Sequence, residues 1–206
     1  MEIDLSSVIS AVGAIVAAYF SYNQYYKNKM ADIEAKYKEK EIEQRSYQKS
    51  RNSAKIFGEL WRVLYAVKAD RVYIVQPHPL GHCAYLSVQF EVKRNGIDGM
   101  MMNIQKLPMS EVCVFSDKLQ EELWQCYTNI DEQISDKMAK AMMMRNGTKN
   151  VAIKRLDSSV DWVGSIFCEF VDGNMKCSED ELHQILHESA MNIQYILPEF
   201  KEFKQW

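Results

Sequence analysis

Three rhythms of apolar and polar positions run along the chain. Residues 5–26 carry no charged side chain, and 8–20 are almost wholly apolar. Counted with the flanking serines and tyrosines, this stretch reaches the roughly 20 residues that a helix needs to cross a bilayer core. Ser6, Ser7 and Ser10 are compatible with that, because a hydroxyl can bond its own helix backbone. Tyr19, Tyr22, Tyr25 and Tyr26 gather at one end, as an interfacial aromatic belt does. Lys27 and Lys29 follow, while Glu2 and Asp4 precede. The pattern predicts a single-pass membrane anchor in 1–26, with the partner bilayer engaged by residues 5–26 and the rest of the chain on the cytoplasmic side. A cleaved leader would put positive charge ahead of the apolar run, where this chain is acidic. A packed helix or an oligomer stem is the remaining alternative.

Residues 27–52 change the rhythm. They hold no Gly or Pro and are dense in Glu, Lys, Gln and Ala, which favour helix. Opposite charges recur four apart, as at Glu34 and Lys38. Apolar positions are sparse: Met30, Ile33, Tyr37, Ile42 and Tyr47. That is thin for a coiled coil. The segment reads either as a solvated helical spacer or as the stem of a parallel homodimer, able to run unbroken into the next helix.

From residue 53 to 198 the pattern is that of a folded domain. Ile56, Leu60, Val63, Leu64 and Val67 recur at helical spacing over 53–69. A strand follows at 72–76, and Pro77 and Pro79 argue against its continuing as a central strand. Residues 80–82 make a turn. In 83–93 Leu86, Val88, Phe90 and Val92 alternate with polar positions, predicting a hairpin partner with these four on one face. Gly96 and Gly99 mark a loop. Residues 100–145 read as largely helical, with Leu119, Leu123, Tyr127, Ile130 and Ile134 on one stripe. Strands follow at 151–156 and 162–171, the second with Trp162, Gly164, Ile166, Cys168 and Phe170 sharing a face. Ser178 and Glu181 form a capping box that opens a last helix, with Pro198 as its stop. Strands cluster in hairpins rather than alternating singly with helices. The expected class is α+β: an antiparallel sheet flanked by helices. The tail 199–206 sets Phe200, Phe203 and Trp206 beside lysines; it folds back on the domain or touches a surface.

Composition narrows the function. A formal net charge of −3 over 206 residues leaves no basic excess, so no nucleic-acid partner is expected. Five cysteines without a close pair fit structural thiols in a reducing compartment. Twelve methionines include the triplets 100–102 and 142–144, gap-fillers or the lining of an adaptable pocket. His183 and His187 stand four apart on the last helix but lack a third ligand, and His78, His82 and Cys83 lack a second cluster; no metal site is expected. No nucleophile with an oriented base and no phosphate-binding loop occurs, so no catalytic residue is expected and the chain reads as a non-enzyme. Asn146, Gly147 and Thr148 fit a glycosylation sequon that a cytoplasmic position makes irrelevant.

Three stretches resemble a GAF domain, the small-molecule-sensing relative of the PAS fold. They are LWRVLYAVKADRVYIV (60–75), similar to that family's helix-to-first-strand passage; VAIKRL (151–156) with WVGSIF (162–167), similar to its late hairpin; and CSEDEL (177–182), leading into the closing helix. The likeness covers 52–198. It implies a pocket between the sheet and the middle segment, with Phe90, Met100, Met101, Met102, Phe115, Trp124 and Tyr127 as wall residues. It names no cofactor: the cyclic-nucleotide pattern is absent, and no cysteine is placed for a bilin. The chain also looks like small membrane-anchored proteins of bacteria and their phages. The expectation is a tethered sensory or adaptor protein, dimerising through its helices. A structural or interaction protein, such as a phage-encoded membrane or virion component without a small ligand, is the alternative. The protein partner in either case is not legible.

Overall fold

The computed structural model describes residues 5–79, 84–158 and 161–198; side-chain surroundings in the first helix are described at Gly13 and from residue 18 onward. The chain divides into two units, 1–50 and 51–206.

The first unit is helical from Leu5. It belongs to helix α1 (Leu5–Ala66), in which the expected anchor, connector and first domain helix are continuous. Its side chains from residue 18 to 50 face solvent almost throughout. No helix among the described residues is long and apolar enough to cross a membrane. Much of the apolar run 8–20 lies outside the residues whose side chains are described, so the anchor over 5–26 is carried by sequence alone.

The second unit holds the last turns of α1 and a six-stranded antiparallel sheet in the order β3-β2-β1-β6-β5-β4. The strands are β1 (Arg71–His78), β2 (Tyr85–Lys93), β3 (Leu107–Pro108), β4 (Trp124–Tyr127), β5 (Asn150–Ser158) and β6 (Asp161–Phe170). One face is covered by α1, through Ile56, Leu60, Val63, Leu64 and Val67, and by α5 (Glu179–Ile193), through Leu182, Leu186, Ala190 and Ile193. The other face is covered by the middle segment with α2 (Cys113–Glu121), α3 (Ile130–Gln133) and α4 (Lys137–Arg145). Both apolar layers are thus removed from water, at about 1.5–3 kcal/mol for each large side chain.

Local chemistry explains the boundaries. α1 ends where Lys68 adopts a left-handed φ of 56°. Asp70 then ties the start of β1 to the end of β6: its N–H donates to the Glu169 carbonyl and its Oδ2 accepts from Val171 N at 2.7 Å. At α5, Ser178 Oγ accepts from Glu181 N at 3.2 Å, the expected cap; the helix ends at Ile193, before Pro198 can act on it.

Four expectations are corrected. β1 does run on through Pro77, to His78, but with a neighbour on one side only. Its pairing with β6 ends at Val75, so Pro77 pairs with β2 alone and its missing N–H breaks no second ladder. Second, Leu86 and Val88 face the middle segment while Phe90 and Val92 face α1 and α5. Ile74 pairs with Phe90 and Val75 with Val88, so Gln89 is an extra residue, and this bulge reverses the alternation. Third, a bulge at Val163 puts Trp162 on the opposite face from Ile166, Cys168 and Phe170. Fourth, 100–145 is only partly helical. Trp124–Tyr127 pairs with β5 as an edge strand, and Leu123 is exposed rather than on a buried stripe. The turn 80–82, His82, Cys83 and the tail 199–206 lie outside the described residues.

Candidate functional site

The space between the sheet and the middle segment is where a pocket would lie. Tyr73 and Val75 of β1, Leu86 of β2 and Phe167 of β6 form its floor. Met100, Ile104 and Leu107 come from the loop after β2, Val112, Phe115 and Leu119 from the α2 region, and Ala139, Met142 and Met143 from α4. Tyr73 and Phe167 stack with centroids 5.0 Å apart, and Phe115 leans on Phe167 at 6.2 Å. What remains is an apolar cavity of about 30 Å³. That is room for a water-sized group or two, against the roughly 300–1,000 Å³ of a small-molecule site. The side chains of the protein itself, methionines prominent among them, fill the site.

A buried polar cluster closes one end of this layer. Arg71 and Glu169, both fully buried, form an ion pair across β1 and β6. Arg71 Nε donates to Glu169 Oε2 at 2.5 Å, Tyr73 Oη donates to Oε1 at 2.6 Å, and Thr148 Oγ1 donates to Oε2 at 2.8 Å. Arg71 also reaches the carbonyls of Asp98 at 2.6 Å and Asn146 at 3.3 Å. The two strands are thereby tied to both loops that border the cavity. Burial first, and the Glu169 charge second, push the Tyr73 hydroxyl well above its ordinary pKa. Every carboxylate oxygen of Glu169 is engaged, so it is placed to hold structure rather than to move protons.

Two further carboxylates organise the walls. Glu91 accepts from the backbone N–H of Met100 at 2.5 Å and of Met101 at 3.2 Å, fixing the turn that presents Met100. Asp136 caps α4 by accepting from Met138 N and Ala139 N, both at 3.1 Å, and accepts from Phe115 N at 3.3 Å.

The seven expected wall residues scatter. Met100 and Phe115 line the cavity. Met101 is partly buried against the same core, and Tyr127 is buried there, its hydroxyl donating to Gln125 Oε1 at 2.8 Å. Met102 is 87% exposed. Phe90 and Trp124 stand on the opposite face: Phe90 because of the Gln89 bulge, where it packs edge-on to Phe57, and Trp124 because β4 turns it toward α5, where it meets His183 at 4.7 Å and Glu179 at 3.2 Å. The Arg71, Tyr73, Thr148 and Glu169 cluster was not anticipated. Its signal in the sequence is Arg71 opening the run Val72–Val75 and Glu169 set within Trp162–Phe170, a run with no other charge.

Other candidate chemistry resolves locally. Among the described residues no three His, Cys, Asp or Glu side chains gather to hold a metal ion. Cys126, Cys168 and Cys177 lie on the α5 face with pKa values raised mainly by burial, Cys126 to about 11. They are protonated at neutral pH and poor nucleophiles. The sequon's Thr148 is buried in the Glu169 cluster.

No protein-family model matches the sequence, and a comparison with curated proteins returns no match. Solved structures do match. The blue-light-absorbing form of the Thermosynechococcus elongatus PixJ GAF domain superposes with a TM-score of 0.58 at 11% identity, over 72% of this chain and 86% of that one. A phycocyanobilin-bound GAF domain from a cyanobacterial phytochrome gives 0.55 at 15% identity, over 73% and 94%. A GAF domain/HD domain protein from Geobacter sulfurreducens gives 0.53 at 10% identity, over 70% and 93%. With its antiparallel sheet between two helical layers, this chain has a GAF-like fold.

Proposed function

We propose that the chain is a non-catalytic sensory or adaptor protein, held at a membrane by residues 5–26 and dimerising through α1, whose GAF-like domain works through protein contacts rather than by enclosing a large chromophore. The observation that carries this reading is the filled cavity. One GAF neighbour is bound to phycocyanobilin, whereas the cavity of this chain, between Met100, Met143, Phe115 and Phe167, is about 30 Å³. A bilin-sized group would have to displace several close-packed side chains, and packed interiors do not yield that volume cheaply. The same observation serves the alternative of an assembly or interaction protein without any small ligand. A sensor of a small apolar molecule is the second reading, favoured by the methionines, which adapt their shape at low cost.

Native mass spectrometry of the full-length chain, released from mild detergent, tests the reading. An apo mass supports the adaptor. A stoichiometric companion of a few tens of daltons to roughly one hundred, the size a methionine-lined cavity could admit by rearrangement, supports the small-ligand sensor. A chromophore-sized companion refutes the filled-cavity argument. Carbonate extraction of membranes, comparing the full chain with one lacking residues 5–26, tests the tether separately.

A further inference from the structure

The exposed face of α1 in the first unit has an unused order. From Tyr26 the apolar residues fall in steps of four, three and four: Tyr26, Met30, Ile33, Tyr37. Two further steps of three and four pass Lys40 and Gln44, and one more of three reaches Tyr47. This is one unbroken heptad count, with Met30, Tyr37 and Gln44 at a and Ile33, Lys40 and Tyr47 at d. The seam has no cover: Met30 is 42% exposed, Ile33 39%, Tyr37 73% and Tyr47 70%. A lone helix in water gains nothing from such a stripe, and an uncovered apolar stripe marks an interaction face.

The charges beside the seam say what covers it. Positions g hold Lys29, Lys36 and Glu43, and the facing e positions, five residues on, hold Glu34, Glu41 and Gln48. A parallel, in-register partner of identical sequence sets Lys29 against Glu34 and Lys36 against Glu41 from both sides. An antiparallel partner would bring g against g and e against e: Glu43 gives the lysines an opposite charge there, but Glu34 and Glu41 meet only each other or Gln48, a poorer match than the parallel pairing. The intrachain pair of Glu41 with Arg45, Oε1 to Nη2 at 2.6 Å, leaves the other carboxylate oxygen for a partner lysine. In register Lys40 meets its own copy at d and Gln44 its own copy at a, which weakens the seam, whereas a shift by one heptad sets Glu43 against Glu41.

We infer that residues 26–47 of α1 pair with the same residues of a second copy of this chain, as a parallel, in-register coiled coil. The inference deepens the dimeric reading proposed above by naming the partner, the direction and the register. It is tested on the full-length chain in mild detergent by sedimentation equilibrium, with two charge-reversed variants, Lys29→Glu with Lys36→Glu and Glu34→Lys with Glu41→Lys. All four residues are on the exposed helix surface, and far-UV circular dichroism verifies that both variants keep their helix. The wild type is expected to dimerise, each variant to self-associate on the order of tenfold or more weakly, and their equimolar mixture to regain the wild-type affinity as a heterodimer. A wild type that stays monomeric up to about 100 µM, variants that dimerise as the wild type does, or a mixture no tighter than its components would each overturn the pairing. A failure here leaves the mass-spectrometric test of the filled cavity untouched, so the seam and the functional reading fail separately.

Discussion

Removing Glu169 is the sharpest test of how the sheet is tied to the layer above it. In Glu169→Ala the Arg71 guanidinium stays fully buried but loses its counter-charge, and the Tyr73 and Thr148 hydroxyls lose their acceptor. The carbonyls of Asp98 and Asn146 and the Thr148 hydroxyl oxygen remain to Arg71, none of them a counter-charge. Breaking one side of a buried ion pair costs about 3–5 kcal/mol. Against a total stability of roughly 5–15 kcal/mol this is a large share. At about 2–4 °C per kcal/mol for a chain of this size, the melting temperature should fall by about 6–20 °C. Urea unfolding followed by the fluorescence of Trp61, Trp124 and Trp162 gives the free energy, with the m-value checking that the native state stays compact. The companion Arg71→Met with Glu169→Leu removes both charges together. It should lose less than Glu169→Ala alone, because no orphaned charge is left, so the double-mutant cycle shows coupling. A loss below about 1 kcal/mol for Glu169→Ala, or costs that simply add, would mean that Arg71 is solvated some other way and would refute the argument.

Three further outcomes follow from the packing. Gly164→Ala should destabilise by about 1–3 kcal/mol, because at φ 156° the new Cβ would stand 2.7 Å from the Val75 carbonyl oxygen where β1 and β6 approach; thermal melts should show it, and a neutral result would mean the strands can part there. Met100→Ala should cost about 2–5 kcal/mol by enlarging the cavity, and should create uptake of xenon or benzene that the wild type lacks, detectable by NMR shifts of neighbouring methyls. The buried thiols and phenols should stabilise the fold evenly up to about pH 9 and less above it, against an opposite pull from Lys154, whose pKa burial lowers. Cys126 and Tyr127 stay protonated in the folded chain up to about 11 and 12, while the unfolded chain ionises from 9.0 and 10.0, so their contribution is complete below those lower values and lost as pH rises toward the higher ones; Tyr73 and Cys168 act in the same direction. A melting temperature that rises through pH 9–11 would contradict these assignments.

The elements that the sequence makes legible are those whose signal is local. α5 announces itself by the Ser178 cap and its leucine spacing, and β5 and β6 by continuous apolar runs between turn residues. The middle segment was misread because its periodicity is satisfied by two different structures. Leu119 is buried in a helix and Tyr127 in an edge strand, and only pairing of Trp124–Tyr127 with β5 decides between them. Propensity cannot see a partner so distant in sequence, Tyr127 against Val151 and Trp124 against Lys154 being fixed by the sheet alone. Pro77 misled for the same reason: its effect depends on whether β6 reaches that far, and it does not.

The site was less legible than the fold because two single-residue insertions govern it. Strict alternation puts Phe90 with Leu86 and Val88, and Trp162 with Phe170. The bulges at Gln89 and Val163 instead hand Phe90 to the α1 face and Trp162 to the cavity face. Both bulges lie in strands that flank β1, β2 on one side and β6 on the other. Their joint effect is chemical. The first leaves Leu86 and Val88, without Phe90, over the middle segment, and the second adds Trp162 to that layer. Met100, Met142 and Met143 line the cavity beside Tyr73, Phe115 and Phe167. The thioether side chains of that wall adapt their shape where the rings beside them cannot. Deleting Gln89 would take out the extra residue and leave Leu86 and Val88 on the middle-segment face and Phe90 and Val92 on the α1 face, so it should cost less than Met100→Ala; a larger loss in urea unfolding would mean that the fold needs the bend that the bulge gives β2.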